Sequence, residues 1–171
     1  MGYQEHQQRA RNERNEALLC AVLTVSDTRT PADDASGMAI CAALTQSGHD
    51  VVRYEVVRDE PTEIVALVRS LASTGCKLII TNGGTGITRR DSTIEAIESL
   101  LEKRLPGFGE LFRMLSYAEI GSGAMLSRAC AGTYQGTLIF CLPGSTDAVR
   151  LALEQLIMPE LSHLVWETVR Q

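Results

Sequence analysis

No stretch of the chain approaches the roughly 18 uninterrupted apolar residues that a membrane helix needs, so no membrane partner is expected. The opening segment, MGYQEHQQRARNERNE, lacks the apolar core of a secretory signal and is too acidic and too poor in apolar residues for an organellar transit peptide. There is no CxxC, and the five cysteines (Cys20, Cys41, Cys76, Cys130, Cys141) are odd in number. Reduced thiols, mostly inside apolar runs, fit that usage, and with it a cytoplasmic location. His6, His49 and His163 are far apart and make neither a metal-ligand spacing nor a triad. A basic excess is missing too: 16 Lys and Arg stand against 21 Asp and Glu, a formal charge of −5. Proteins that grip duplex nucleic acid show the opposite balance, so that partner class is not expected.

What is present is ordinary for a globular domain. The 171 residues are 44% hydrophobic and 22% charged, enough to bury roughly 70% of the unfolded surface without a disulfide or metal. Residues 1–16 read as a flexible polar arm and 17–171 as one domain. Apolar runs predict strands over 17–25, 51–57, 77–81 and 137–142. Helices are predicted over 34–47, from Pro61 to Gly75, and through Ile94, Ile97, Leu100 and Leu101. A short helix is expected over 110–117, then two more over 147–157 and 160–169, with Pro159 as the break. Strands alternating with amphipathic helices imply an α/β domain whose largely parallel sheet is covered on both faces. Ligands in such folds bind beyond the carboxyl ends of the strands. Three polar or glycine-rich loops lie there: 26–29, 82–91 and 143–145.

The second loop carries the most chemistry. In TNGGTGITRRDSTIEA (81–96), Gly83, Gly84, Thr85 and Gly86 join an apolar strand to an amphipathic helix. Exposed amides at such a turn form an anion nest. No Gly-Lys-Ser/Thr makes it a Walker loop, and Arg89 stands where a dinucleotide fingerprint needs its last glycine. Ser92-x-x-Glu95 reads as a capping box, which leaves Asp91 uncommitted. A carboxylate about 4 Å from a phosphate costs on the order of 4 kcal/mol at an effective dielectric of 20. That outweighs the ~0.3–1 kcal/mol a helix dipole returns. A divalent cation between the two reverses the sign, and Mg²⁺ is commonly held by one or two carboxylates plus substrate phosphates. Asp59, ahead of Glu60 and Pro61, is a second carboxylate with no evident commitment. Arg89 and Arg90 add positive charge beside the loop.

The segments TVSDTR (24–29), TNGGTGITRRD (81–91), PGFGELFR (106–113), LSRACAG (126–132) and LPGS (142–145) together resemble the MoaB/MogA family of molybdenum-cofactor biosynthesis, and FRMLSYAEIG with LPGST is similar to its MoaB branch. The resemblance covers roughly 18–164. It implies a three-layer α/β/α sandwich with a mostly parallel central sheet that binds molybdopterin and assembles as a homotrimer or hexamer. It also implies adenylylation of molybdopterin with Mg-ATP and release of pyrophosphate, with a downstream molybdate-insertion protein as a further partner. The family's essential aspartate falls on Asp91 and a second functional aspartate on Asp59, which together would be the catalytic and Mg²⁺-binding residues. Substrate binding is expected at Gly83, Gly84, Thr85, Gly86 and Arg90, with a pterin-phosphate pocket at Ser26, Asp27, Ser127, Arg128, Gly144 and Ser145. Ser145 departs from the Asn or Gln frequent in MogA-type motifs, whereas Arg89-Arg90-Asp91 matches the active enzymes. A non-catalytic molybdopterin-binding or carrier protein of the same fold is the alternative.

Overall fold

Three strands are apolar on both faces because helices cover both sides of the sheet. In the computed structural model, which describes residues 17–169, these are β1 (Leu19–Val25), β3 (Leu78–Asn82) and β6 (Thr137–Leu142). The arm expected over 1–16 lies outside the described residues. With β2 (Asp50–Val57), β4 (Lys103–Arg104) and β5 (Cys130–Tyr134) they form one sheet in the order β2-β1-β3-β6-β5-β4. The first four strands in that order are parallel, whereas β5 runs antiparallel to both its neighbours, β6 and the edge strand β4.

Because side chains alternate along a strand, the sheet feeds two cores. Val22, Ile80 and Phe140 face one side, where α1 (Ala35–Gln46) adds Ile40 and Leu44 and α4 (Pro106–Ile120) adds Phe112. Val149 of α5 (Thr146–Ala152) and Val165 of α6 (Met158–Val169) complete that core. Leu23, Ile79 and Ile139 face the other side, against Ile64 and Val68 of α2 (Pro61–Ser73) and Ile94 and Ile97 of α3 (Thr93–Leu100). Each of these side chains contributes about 2 kcal/mol on burial. The result is the expected three-layer α/β/α sandwich.

The structure departs from expectation in three places. The small-residue run at 129–132 opens β5, which pairs with β6 through a two-residue turn at Gln135 and Gly136. Both turn residues have positive φ (48° and 72°), as a hairpin with the sheet's right-handed twist requires. The helix expected over 110–117 is the 15-residue α4, started by Pro106 and continued by a 3₁₀ segment, Gly121–Leu126. Pro159 does not break the last helix. A π turn, Leu153–Ile157, widens the backbone ahead of it, and the Met158 N–H bonds the Leu153 carbonyl five residues back. That wider turn accommodates a residue that has no N–H and whose ring would meet the carbonyl four residues earlier.

A polar chain ties the carboxyl ends of β1 and β3 to the middle of β2. Asp34 caps α1 by accepting from the Gly37 N–H (3.0 Å). Its second oxygen accepts from the Thr24 hydroxyl (2.5 Å) and the Tyr54 hydroxyl (2.8 Å). Asn82 in turn donates to Thr24 Oγ1 (2.8 Å). Burial, then the Asp34 carboxylate, pushes the Tyr54 phenol up to about 12, so it stays a donor. This chain anchors the end of β3, from which the glycine loop departs.

Candidate active site

The three loops predicted to hold the site converge at the carboxyl edge of the sheet. The loop after β1 folds on Ser26, whose hydroxyl accepts from the N–H groups of Thr28 (3.3 Å) and Arg29 (3.1 Å). Arg29 then reaches across to the loop after β6 and donates to the Gly144 carbonyl (3.0 Å), as does the buried Ser36 hydroxyl (2.7 Å). Ser145 caps α5 by accepting from the Ala148 N–H (3.2 Å). Gly144 packs directly on the backbone of Gly83, so the first and third loops flank the glycine loop.

The glycine loop is shaped by carboxylates. A side chain at Gly84 would overlap both the Asp59 carboxylate and the Thr93 hydroxyl, and one at Gly86 would press on the Asp91 carboxylate. Thr85 is buried, and its carbonyl accepts from Arg128 Nε (2.9 Å). Two catalytic candidates, Asp59 and Asp91, therefore lie against the same four-residue loop.

Neither is uncommitted, which corrects the sequence reading. Asp91 accepts from both the N–H (2.9 Å) and the hydroxyl (2.6 Å) of Thr88. These bonds, the hydroxyl's foremost, hold its carboxyl below the usual range. Asp59 is nearly buried; its Oδ1 accepts from the Ser92 hydroxyl (2.7 Å) and N–H (3.3 Å). Burial pushes its carboxyl up, Asp91 and Asp27 push the same way, and the Ser92 bonds oppose them. The capping box does not form. Ser92 gives its hydroxyl to Asp59, and Glu95 makes a two-pronged pair with Arg128 (2.8 and 3.1 Å). A two-pronged guanidinium–carboxylate pair outcompetes a single bond from the carboxylate to a backbone N–H. The Gly84 carbonyl accepts the Thr93 N–H (3.0 Å) in place of an ordinary entry to α3.

Arg90 is exposed and held by two acids, Asp27 (2.6 and 3.1 Å) and Glu60 (3.1 Å). Its guanidinium holds the Asp27 carboxyl low, and Asp27 also accepts the Asp59 N–H (3.3 Å). Ser127 closes the 3₁₀ segment, donating its N–H to Ala124 (3.0 Å), and so delivers Arg128 to the loop. The structure thus brings together Ser26, Asp27, Asp59, Gly83, Gly84, Thr85, Gly86, Arg90, Asp91, Arg128, Gly144 and Ser145. Sequence reasoning missed Arg29, Ser36, Thr88, Ser92 and Glu95 as the residues that build the site. Arg29 belongs to the TVSDTR motif, but nothing local shows that it reaches a loop 115 residues away.

Among the described residues no three His, Cys, Asp or Glu side chains gather as a preformed metal cage. A carboxylate pair completed by substrate phosphates suits Mg²⁺ better than such a cage. The fit is favourable here. Asp59 keeps Oδ2 towards Gly84 while Ser92 occupies Oδ1, and the buried Thr93 hydroxyl beside it has no partner.

Comparison with known proteins agrees with the fold. The family model described as "Probable molybdopterin binding domain" matches residues 21–163. The chain is 50% identical to molybdenum cofactor biosynthesis protein B of Bacillus subtilis, over 98% of this chain and 97% of that protein. A crystal structure of a molybdenum cofactor biosynthesis protein B superposes with a TM-score of 0.88 at 48% identity, covering 92% of this chain and 99% of the other. The tungsten cofactor synthesizing protein MoaB from Pyrococcus furiosus superposes at 0.83 with 37% identity, over 91% and 99%. Among the described residues no helix is long and apolar enough to cross a membrane.

Proposed function

The chain belongs to the molybdopterin-binding domain family of molybdenum cofactor biosynthesis, on its MoaB branch, and from that premise we propose that it adenylylates molybdopterin with Mg-ATP and releases pyrophosphate. The observation that carries this reading is the placement of two carboxylates, Asp59 and Asp91, against the same glycine loop. A terminal phosphate oxygen of molybdopterin attacks the α-phosphorus of ATP. The new P–O bond forms as the bond to pyrophosphate breaks, and pyrophosphate leaves with the electron pair. Mg²⁺ would be held by Asp91 and Asp59 and would neutralise the phosphates' charge. The chain's own task is positioning and electrostatics, which dominate such transfers. The amides of Gly84 and Thr85 orient the triphosphate, and Arg90 and Arg128 exchange their carboxylate partners for phosphate oxygens. Ser26, Asp27, Ser127, Gly144 and Ser145 face the pterin phosphate from the neighbouring loops.

A second reading, a non-catalytic molybdopterin carrier, draws on the fact that Arg90 and Arg128 are both spent on protein carboxylates. Incubating the protein with molybdopterin and Mg-ATP separates the two. Pyrophosphate and adenylylated pterin are expected; tight pterin binding without either product supports the carrier.

A homotrimer or hexamer is part of the proposal. Leu111, Met114, Tyr117 and Ile120 follow one another along the exposed side of α4, and Met125 and Leu126 extend the patch, all at least 47% exposed. An apolar run of this kind marks a contact surface. The double variant Met114→Lys/Tyr117→Lys should sediment as a monomer where the parent sediments as a trimer or larger. A parent chain that is itself monomeric ends this part of the proposal.

A further inference from the structure

Strands β5 and β6 set two cysteines face to face. Cys130, the first residue of β5, is the direct partner of Cys141 near the end of β6. Both are free thiols, and both are buried on the side of the sheet that α2 and α3 cover. The hairpin fixes the kind of pair they form. Tyr134 and Thr137 flank the two-residue turn and so exchange both backbone bonds. Alternation then makes Gly132 with Ile139, and Cys130 with Cys141, pairs of the same kind. The outer edge of β5 agrees: Ala131, out of step with Cys130, gives its carbonyl to the Leu105 N–H (2.8 Å), away from β6. Such pairs hold their Cα atoms about 5.5 Å apart, inside the roughly 4.4–6.8 Å that a disulfide spans. The two thiols share one face and lie in hydrogen-bonding contact.

The other three cysteines are placed differently. Parallel pairing puts Leu78, not Cys76, opposite Cys20. The Cys20 thiol donates to the Leu18 carbonyl (3.4 Å), and the Cys76 thiol to the carbonyls of Leu19 (3.3 Å) and Leu78 (3.2 Å). Cys41 belongs to α1, in the opposite core. Within the pair, access is unequal. Cys141 is fully enclosed, and burial, then the Cys130 thiol beside it, pushes its thiol well above the ordinary range. Cys130 lines a pocket of about 240 Å³ whose walls carry Glu98, Arg104, Glu110 and Arg113, a polar entry for a small, water-like oxidant.

We propose that Cys130 and Cys141 are an oxidation site, closing to a reversible intrachain disulfide when the protein meets a hydroperoxide. The Cys130 thiolate attacks one peroxide oxygen, the O–O bond breaks, and the departing hydroxide takes up the proton that the thiol gave up. Cys130 is then a sulfenic acid. The Cys141 sulfur displaces its hydroxyl: the S–S bond forms, the S–O bond breaks, and hydroxide leaves as water with the Cys141 proton. Two thiols and one hydrogen peroxide become one disulfide and two waters. The bond staples β5 to β6 beneath the glycine loop. Arg128 lies two residues before Cys130, and Leu142, next to Cys141, holds the Gly83 N–H (3.0 Å).

Treating the folded full chain with hydrogen peroxide, alkylating the remaining thiols and mapping peptides by mass tests the assignment. The parent is expected to lose about 2 Da through a single Cys130–Cys141 crosslink. It should regain them with dithiothreitol, and unfold about 5 °C higher while oxidised. Cys141→Ala should stop at a sulfenic acid on Cys130, trapped by dimedone, with no crosslink and no gain in midpoint. Cys76→Ala should crosslink as the parent does. A parent that keeps all five thiols, or joins another pair first, overturns the proposal. So does a crosslink that forms only in urea, where the strands no longer set the register.

Discussion

Asp91→Asn is expected to lower adenylyl transfer about a thousandfold, with the fold, the assembly and the unfolding midpoint close to those of the parent. The choice of asparagine matters because Asp91 does two things at once. It shapes the loop by accepting from the N–H and hydroxyl of Thr88, and it places a negative charge against Gly86. Asparagine keeps an oxygen for Thr88 but removes the charge and the acceptor that Asp91 offers the Gly86 N–H. If Asp91 served the loop's shape alone, asparagine would retain most of the activity and alanine would not. If the charge is what the reaction uses, asparagine and alanine fall together, and the loss appears in kcat more than in KM for ATP. Rates within tenfold of the parent for Asp91→Asn would remove Asp91 from the chemistry. Glu95→Gln provides a contrast. It leaves Arg128 its bond to the Thr85 carbonyl and weakens only the pair with Glu95, so a smaller loss, borne mainly by substrate binding, is expected.

The frame of this fold is legible from hydrophobic pattern and punctuation. The last predicted strand, 137–142, coincides with β6, and Gly48 and Gly75 end α1 and α2 with positive φ. Pro61 opens α2 as its position implies. These signals are local, so a single chain displays them. What stayed hidden depends on partners distant in sequence. β5 is made of small residues whose strand character comes from pairing with β6, and β4 is two residues pinned by Gly132 and Thr133. Pro159 reads as a breaker because the π turn that absorbs it has no compositional mark. At the site the same division holds. The loop and its two aspartates are visible as motifs, but their commitments are not. Ser92-x-x-Glu95 has the spacing of a capping box, and only the fold shows that Asp59 and Arg128 outbid the backbone for those side chains. The chain Asn82–Thr24–Asp34–Tyr54 draws on β3, β1, β2 and the start of α1. No window of sequence contains it.

Gly83→Ala is expected to be the most damaging single methyl in the molecule, lowering stability by about 4 kcal/mol. Two independent costs add. Gly83 has φ +96°, a backbone conformation unfavourable for any L side chain, at about 1–2 kcal/mol. A Cβ there would also overlap the carbonyl oxygen of Val25, and the carbonyl carbon behind it is only 3.3 Å away. That neighbour is the end of β1, held in the sheet by β2 and β3, so no rotamer change can relieve the contact. On the other side Gly83 touches Gly144, and its own N–H bonds the Leu142 carbonyl at 3.0 Å. The added methyl must push apart the junction where all three site loops meet. For a chain of this size the loss corresponds to a fall of roughly 12 °C in unfolding midpoint. Gly48→Ala isolates the first cost. Its φ of +82° is similar, but nothing lies within 4 Å of the new methyl, so a loss of only about 1 kcal/mol is expected. Equal midpoints for the two variants would show that Val25 yields. A gap of several degrees, with tripolyphosphate binding lost in Gly83→Ala and kept in Gly48→Ala, would show that the anion cradle depends on the absence of a side chain at that one point.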